Sequence, residues 1–174
     1  MIKRLMIIVL IISILIVFGT IADAEMTKEG KGEYRSAKST VYTVLPVGKE
    51  RVQMNYDQTG AVVIAPMDSP LYNATFWSIG SMHAIKGRFK GSGFILFTNS
   101  AEEKIYATAE FEGVLGGSYK CHLEFVEGTG SCSGIQGGVD FEGVPGLKPS
   151  KTGIGNGISV GTVNWKICQK TDLS

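Results

Sequence analysis

Beyond residue 25 the chain shows almost no helical periodicity. Short runs rich in β-branched and aromatic residues alternate between apolar and polar positions, and glycines separate them. The pattern predicts strands near 32–45, 51–64, 72–85, 88–98, 104–112, 118–126, 138–142 and 157–168. Ala65-Pro66-Met67-Asp68-Ser69-Pro70 reads as a loop, as does Gly143 to Asn156 with Pro145 and Pro149. No linker or repeat divides this part of the chain, so it is expected to form one all-β domain, a barrel or a sandwich.

The centre of the chain allows a finer reading. A turn at Asn99-Ser100-Ala101-Glu102-Glu103 sets Phe97 opposite Ile105, Ile95 opposite Ala107, Gly91 opposite Phe111 and Lys90 opposite Glu112. A second turn at Gly113-Val114-Leu115-Gly116-Gly117 is expected to pair Phe111 with Tyr119, Ala109 with Cys121, Ala107 with Leu123 and Ile105 with Phe125. On the other face it pairs Glu110 with Lys120 and Thr108 with His122. Both hairpins agree on one apolar face, which is expected to point inward. Gly91, Gly93, Ala107 and Ala109 are small residues on that face. They either admit large side chains from across the interior or leave room for an apolar ligand. Ile95, Phe97, Ile105, Ala107, Phe111, Tyr119 and Leu123 are the candidate cavity-lining residues. Phe94, Leu96 and Tyr106 fall on the outer face and form a modest apolar patch, either a subunit contact in a homo-oligomer or scattered surface residues.

The first residues follow a different pattern. Met1-Ile2-Lys3-Arg4 is a short basic start, Leu5 to Gly19 is an apolar run, and Ala22-Asp23-Ala24 matches the small-residue site of a signal peptidase. The run is shorter than the roughly 20 residues a membrane-spanning helix needs. Residues 1–24 are therefore expected to be a helical signal peptide and residues 25–174 the working domain, secreted or periplasmic. An uncleaved leader would be its only tie to a membrane. Without the leader the chain carries 15 basic and 15 acidic residues. That balance offers no basic field to nucleic acid.

Candidate chemistry is sparse. His83 is isolated, and His122 and Glu124 share the outer, solvated face. No serine occupies a nucleophile-elbow motif. Gly128-Thr129-Gly130 lacks the lysine and helix of a phosphate loop and reads as a plain turn. The cysteines, Cys121, Cys132 and Cys168, have no metal-ligand spacing with the histidines, so no metal and no cofactor is expected. Asn73-Ala74-Thr75 is a glycosylation sequon, meaningful only in a glycosylating secretory pathway.

Residues 91–98 (GSGFILFT), 105–113 (IYATAEFEG) and 124–143 (EFVEGTGSCSGIQGGVDFEG) together resemble the superfamily of allene oxide cyclase and dirigent-like β-barrels, which includes uncharacterised microbial relatives. The resemblance spans roughly Arg88 to Glu142. It implies a single antiparallel eight-stranded barrel, often oligomeric, with a largely apolar cavity. None of the family's site residues maps onto a position here. Within that frame Cys121 and Cys132 flank a bend at Val126–Glu127, and a local disulfide between them is expected, with Cys168 the rival partner. Two functional readings stay open. The first is an exported, non-enzymatic barrel that binds a small apolar ligand or serves a structural or interaction role. The second is a cyclase- or dirigent-type protein that steers a reactive small molecule.

Overall fold

The computed structural model describes residues 26–145 and 154–169; the expected signal peptide lies outside them. The described chain is all-β apart from one short 3-10 turn. The strands are β1 (Met26–Gly48), β2 (Arg51–Ile64), β3 (Thr75–Ile85), β4 (Arg88–Thr98), β5 (Lys104–Val114), β6 (Tyr119–Gly128), β7 (Ile135–Pro145) and β8 (Ile154–Gln169). They follow one another in sequence order as a closed barrel, antiparallel at each pairing from β1–β2 to β7–β8. Closure removes the exposed sheet edges that an open sheet of alternating strands would carry.

The alternation sets the inside and the outside. In β4, Phe89, Gly93, Ile95 and Phe97 are buried while Arg88, Lys90, Ser92 and Phe94 are exposed. The β4–β5 register is the expected one, with Gly91 opposite Phe111, Ile95 opposite Ala107, Phe97 opposite Ile105 and Lys90 opposite Glu112. The β5–β6 register differs by two residues: Phe111 faces Cys121, Ala109 faces Leu123, Ala107 faces Phe125, Glu110 faces His122 and Glu112 faces Lys120. The cause is a tighter turn. Gly113 stays in β5 opposite Tyr119, and the reversal falls at residues 115–118, where Gly116 takes a φ of 77°. A shift of two keeps every side chain on its expected face.

β6 does not turn back at Val126–Glu127. It runs on to Gly128, and Val126 is the extra residue of a bulge between Tyr106 and Ala107 on the partner strand. The expected Cys121–Cys132 bridge is accordingly not formed, and all three cysteines are free. Cys132 packs beside Gly128, where an added Cβ would lie 2.9 Å from its own Cβ. Seven residues of extended strand separate Gly128 from Cys121, roughly 20 Å, against the ~7 Å Cα separation a disulfide tolerates. Of the segment expected as a loop, 143–145 and 154–156 are strand, because β7 continues to Pro145 and β8 begins at Ile154.

One half of the interior is solid. Tyr34, Leu71, Phe76, Phe97, Ile105, Leu123, Val139, Val163 and Trp165 belong to one buried cluster. The β2–β3 connection caps this end: Ser69, Leu71 and Ala74 are buried, and Val62 N–H donates to the Ala74 carbonyl at 2.8 Å. On the same side the turn Gly130–Cys132 is anchored by Glu103, whose carboxylate accepts Ser131 N–H at 2.6 Å, Ser131 Oγ–H at 2.7 Å and Asn99 Nδ2–H at 3.1 Å. These donors hold its carboxyl far below the ordinary range, at about 2. A smaller cluster of Met54, Tyr56, Met82, Ala84 and Phe89 occupies the other half.

Candidate functional site

That other half is hollow. A cavity of about 480 Å³ opens between the β5–β6 turn and the adjoining ends of β1, β2, β7 and β8. Its walls are largely apolar, formed by Met54, Met82, Phe89, Ile95, Phe111 and Phe141. The polar groups on it are few: Lys38, Thr40, Tyr56, Gln58, Ser78 and Tyr119 among them. Apolar walls with a small number of placed polar groups are the usual make-up of a small-molecule site.

Glycines create this geometry. A Cβ at Gly93 would overlap the Tyr56 hydroxyl, and one at Gly143 would overlap the Tyr119 ring. The small interior residues of the central strands therefore admit large side chains from neighbouring strands, and the space they leave is shared between packed rings and cavity. Phe89, Phe111, Tyr119 and Phe141 form a chain of ring contacts with centroids 6.1 to 6.3 Å apart. Edge-to-face packing at these distances fixes the wall.

Lys38 is the unusual member. It sits on β1 at an inward position, and Nζ donates to Tyr119 Oη and, at 2.8 Å, to Ser159 Oγ. Nζ also lies 4.8 Å from the Tyr119 ring centroid and 5.1 Å from that of Phe141. Among the described residues no carboxylate is within ion-pair distance of it; the ion pairs join Arg35 with Glu33, Lys90 with Glu112 and His122 with Asp140. Burial with no counter-charge disfavours the ammonium and pushes the Lys38 pKa down to about 8. Burial likewise raises the Tyr119 phenol, and moves the Cys121 thiol up to about 12. Two further polar contacts join neighbouring strands on the inner face, Thr40 Oγ1 to Gln58 Oε1 at 3.1 Å and Ser78 Oγ to Tyr56 Oη at 3.5 Å.

Of the residues expected to line a cavity, Ile95, Phe111 and Tyr119 do so. Phe97, Ile105, Ala107 and Leu123 lie in the solid half. Lys38, Tyr56 and Ser159 were not among the sequence candidates. Cys121 borders the cavity, while Cys132 is tucked under the 3-10 turn.

His83, His122 and Glu124 are exposed on the outer face. His122 Nδ1 meets Asp140 Oδ1 at 2.7 Å in the open. A larger depression, about 860 Å³, runs along this outer face past Lys90, Glu112, Lys120 and Glu142. It is broad and shallow, and its opposite charges alternate from strand to strand, so it offers a ligand far less enclosure than the interior does. Among the described residues no group of histidine, cysteine or carboxylate side chains is arranged to hold a metal.

No family model and no curated protein matches this chain. Among solved structures it is similar to a pterocarpan synthase dirigent protein, with 13% identity over 83% of this chain and 93% of that one, at a TM-score of 0.48. A likeness of that degree carries no conclusion about ligand or activity.

Proposed function

We propose that this protein is a binding barrel that takes a small, mostly apolar molecule into its hollow half and holds the molecule's polar end against Lys38 and Tyr119. The observation that carries the reading is the 480 Å³ cavity, apolar on its walls and cationic at depth. Burying an apolar ligand there gains roughly 25 cal/mol per Å² removed from water. The buried ammonium contributes direction, because a ligand oxygen would supply the charge-assisted acceptor that it otherwise finds only in two hydroxyls.

A second reading, a protein that steers a reactive small molecule, draws on the same two groups, since a phenol and an amine side by side can move a proton. Export is part of the proposal and rests on the N-terminal pattern Met1 to Ala24.

Native mass spectrometry of protein purified from its own source tests the binding reading. Retention of a stoichiometric apolar molecule that Lys38→Ala or Phe111→Trp displaces is the expected result. Binding that is indifferent to both substitutions would place the ligand elsewhere and end this reading.

A further inference from the structure

The functional reading above leaves open what polar end the ligand carries. Lys38 narrows the choice. An amine is a nucleophile only when it is deprotonated, and it captures a target faster when held within reach beside a group that passes protons.

Three features of the cavity meet these needs. The Lys38 side chain is held from two sides, by Ser159 Oγ at 2.8 Å and by the Tyr119 hydroxyl, so Nζ has a fixed position on the cavity surface. The surrounding surface is aromatic, with the Tyr119 and Phe141 rings beside Nζ. Finally, the titratable groups that share the cavity are Tyr42, Tyr56, Tyr119 and Cys121, each shifted up by burial, so none is an anion at neutral pH that would lock the ammonium in place. With its pKa near 8, Lys38 presents a free amine about 300-fold more often at pH 7 than an ordinary lysine does.

We propose that the ligands of this cavity are aldehydes or reactive ketones, and that Lys38 Nζ captures their carbonyl carbon as an imine with Tyr119 Oη passing the protons. This rests on the reading that the cavity binds a small molecule. The steps balance without an oxidant or reductant. The Nζ lone pair attacks the carbonyl carbon and the C=O π pair moves to oxygen. One Nζ proton passes to that oxygen to give a carbinolamine. Tyr119 Oη–H then protonates the hydroxyl, the C–O bond breaks, and water leaves as the C=N bond forms. The remaining Nζ proton returns to Tyr119. The sum is amine plus carbonyl giving imine plus water.

The test uses the folded full chain with 6-methoxy-2-naphthaldehyde and sodium cyanoborohydride at pH 7.5, followed by peptide mapping. Reduction turns the imine into a secondary amine, so each adduct adds the mass of the aldehyde less one oxygen. The expected result is a single adduct at Lys38, formed at least about tenfold faster than at any other lysine. Tyr119→Phe should slow it by about tenfold or more. The matching alcohol, 6-methoxy-2-naphthalenemethanol, should enter the wild-type cavity, as followed by its fluorescence, and form no adduct.

Uptake of the alcohol with aldehyde adducts only on surface lysines would overturn carbonyl capture and leave the binding reading standing. Tighter binding of 6-methoxy-2-naphthoic acid than of the alcohol, with no Lys38 adduct, would make Lys38 a counter-ion and overturn it equally. Failure to take up either the aldehyde or the alcohol would overturn both readings. The wild-type mapping decides the matter even if a variant folds poorly.

Discussion

Gly143 stands directly opposite Tyr119 across the β6–β7 pair, and the Tyr119 ring lies over the place where a Cβ on Gly143 would be. The tyrosine thereby reaches sideways along the wall and puts its hydroxyl on Lys38. Gly143→Ala is expected to push the ring off, destabilise the barrel by about 1–3 kcal/mol, and weaken ligand uptake. Thermal unfolding combined with probe titration measures both. Unchanged binding would show that the ring's placement does not matter to the site.

Lys38 governs an unusual pH response. Its pKa is lower folded, about 8, than unfolded, 10.5. Below pH 8 both states are protonated and the cost of burying the charge is present in full. Between about 8 and 10.5 the unfolded chain binds the extra proton, so this group makes stability rise with pH. From about 9 the thiols of Cys121 and Cys132, raised by burial to about 12 and 11, oppose the rise, because the unfolded chain then loses protons first. Stability measured in urea should therefore increase from pH 7.5 to about 9 and then level or fall. Lys38→Met should be more stable than the wild type at pH 7 and should lack the increase. A flat wild-type profile over that interval would contradict the assignment.

Glu103 works in the opposite direction. Its carboxyl is depressed from 4.5 to about 2, chiefly by the Ser131 N–H and hydroxyl, with Asn99 assisting. Its contribution is fully present above pH 4.5 and is lost as pH falls towards 2. Glu103→Gln is expected to lower the Tm at pH 7, with the difference from wild type shrinking as the pH drops from 4.5 to 2.5. A difference that stays constant over that range would mean that the charge plays no part.

The cysteines give a direct chemical check. Cys121 and Cys132 are buried and Cys168 is partly exposed. Iodoacetamide applied to native protein should label Cys168 first, and the other two only after unfolding. Non-reducing peptide mapping should show no Cys121–Cys132 link; finding one would mean that β6 turns back before Gly128.

The strand pattern was legible because a barrel wall forces a strict period of two. β2 and β4 have the residue limits their alternation suggests. Gly113 misled, since a glycine beside a turn looks like part of the turn, whereas here it makes space beside Tyr119. Lys38 was not legible. Around it β1 reads Glu33, Tyr34, Arg35, Ser36, Ala37, Lys38, Ser39, Thr40, polar on both parities, so no apolar stripe says which side faces in. Only the pairing with β2 and the closure by β8 decide it. Cys132 was misjudged for a related reason: nearness in sequence stood in for nearness in space, and an extended strand separates residues faster than any other element.

The cap formed by the β2–β3 connection makes the cavity a cul-de-sac. With Leu71 and Ala74 sealed into the core beneath it, the opening formed by the described residues lies at the other end, near the β5–β6 turn. Among the β1 residues on the cavity surface Lys38 lies furthest from the β1–β2 turn, so under the proposed binding a polar head would enter first and its tail last. Under the proposed binding the barrel would act as a gauge of length: molecules too short would leave the mouth wet, and molecules too long would leave their tails outside.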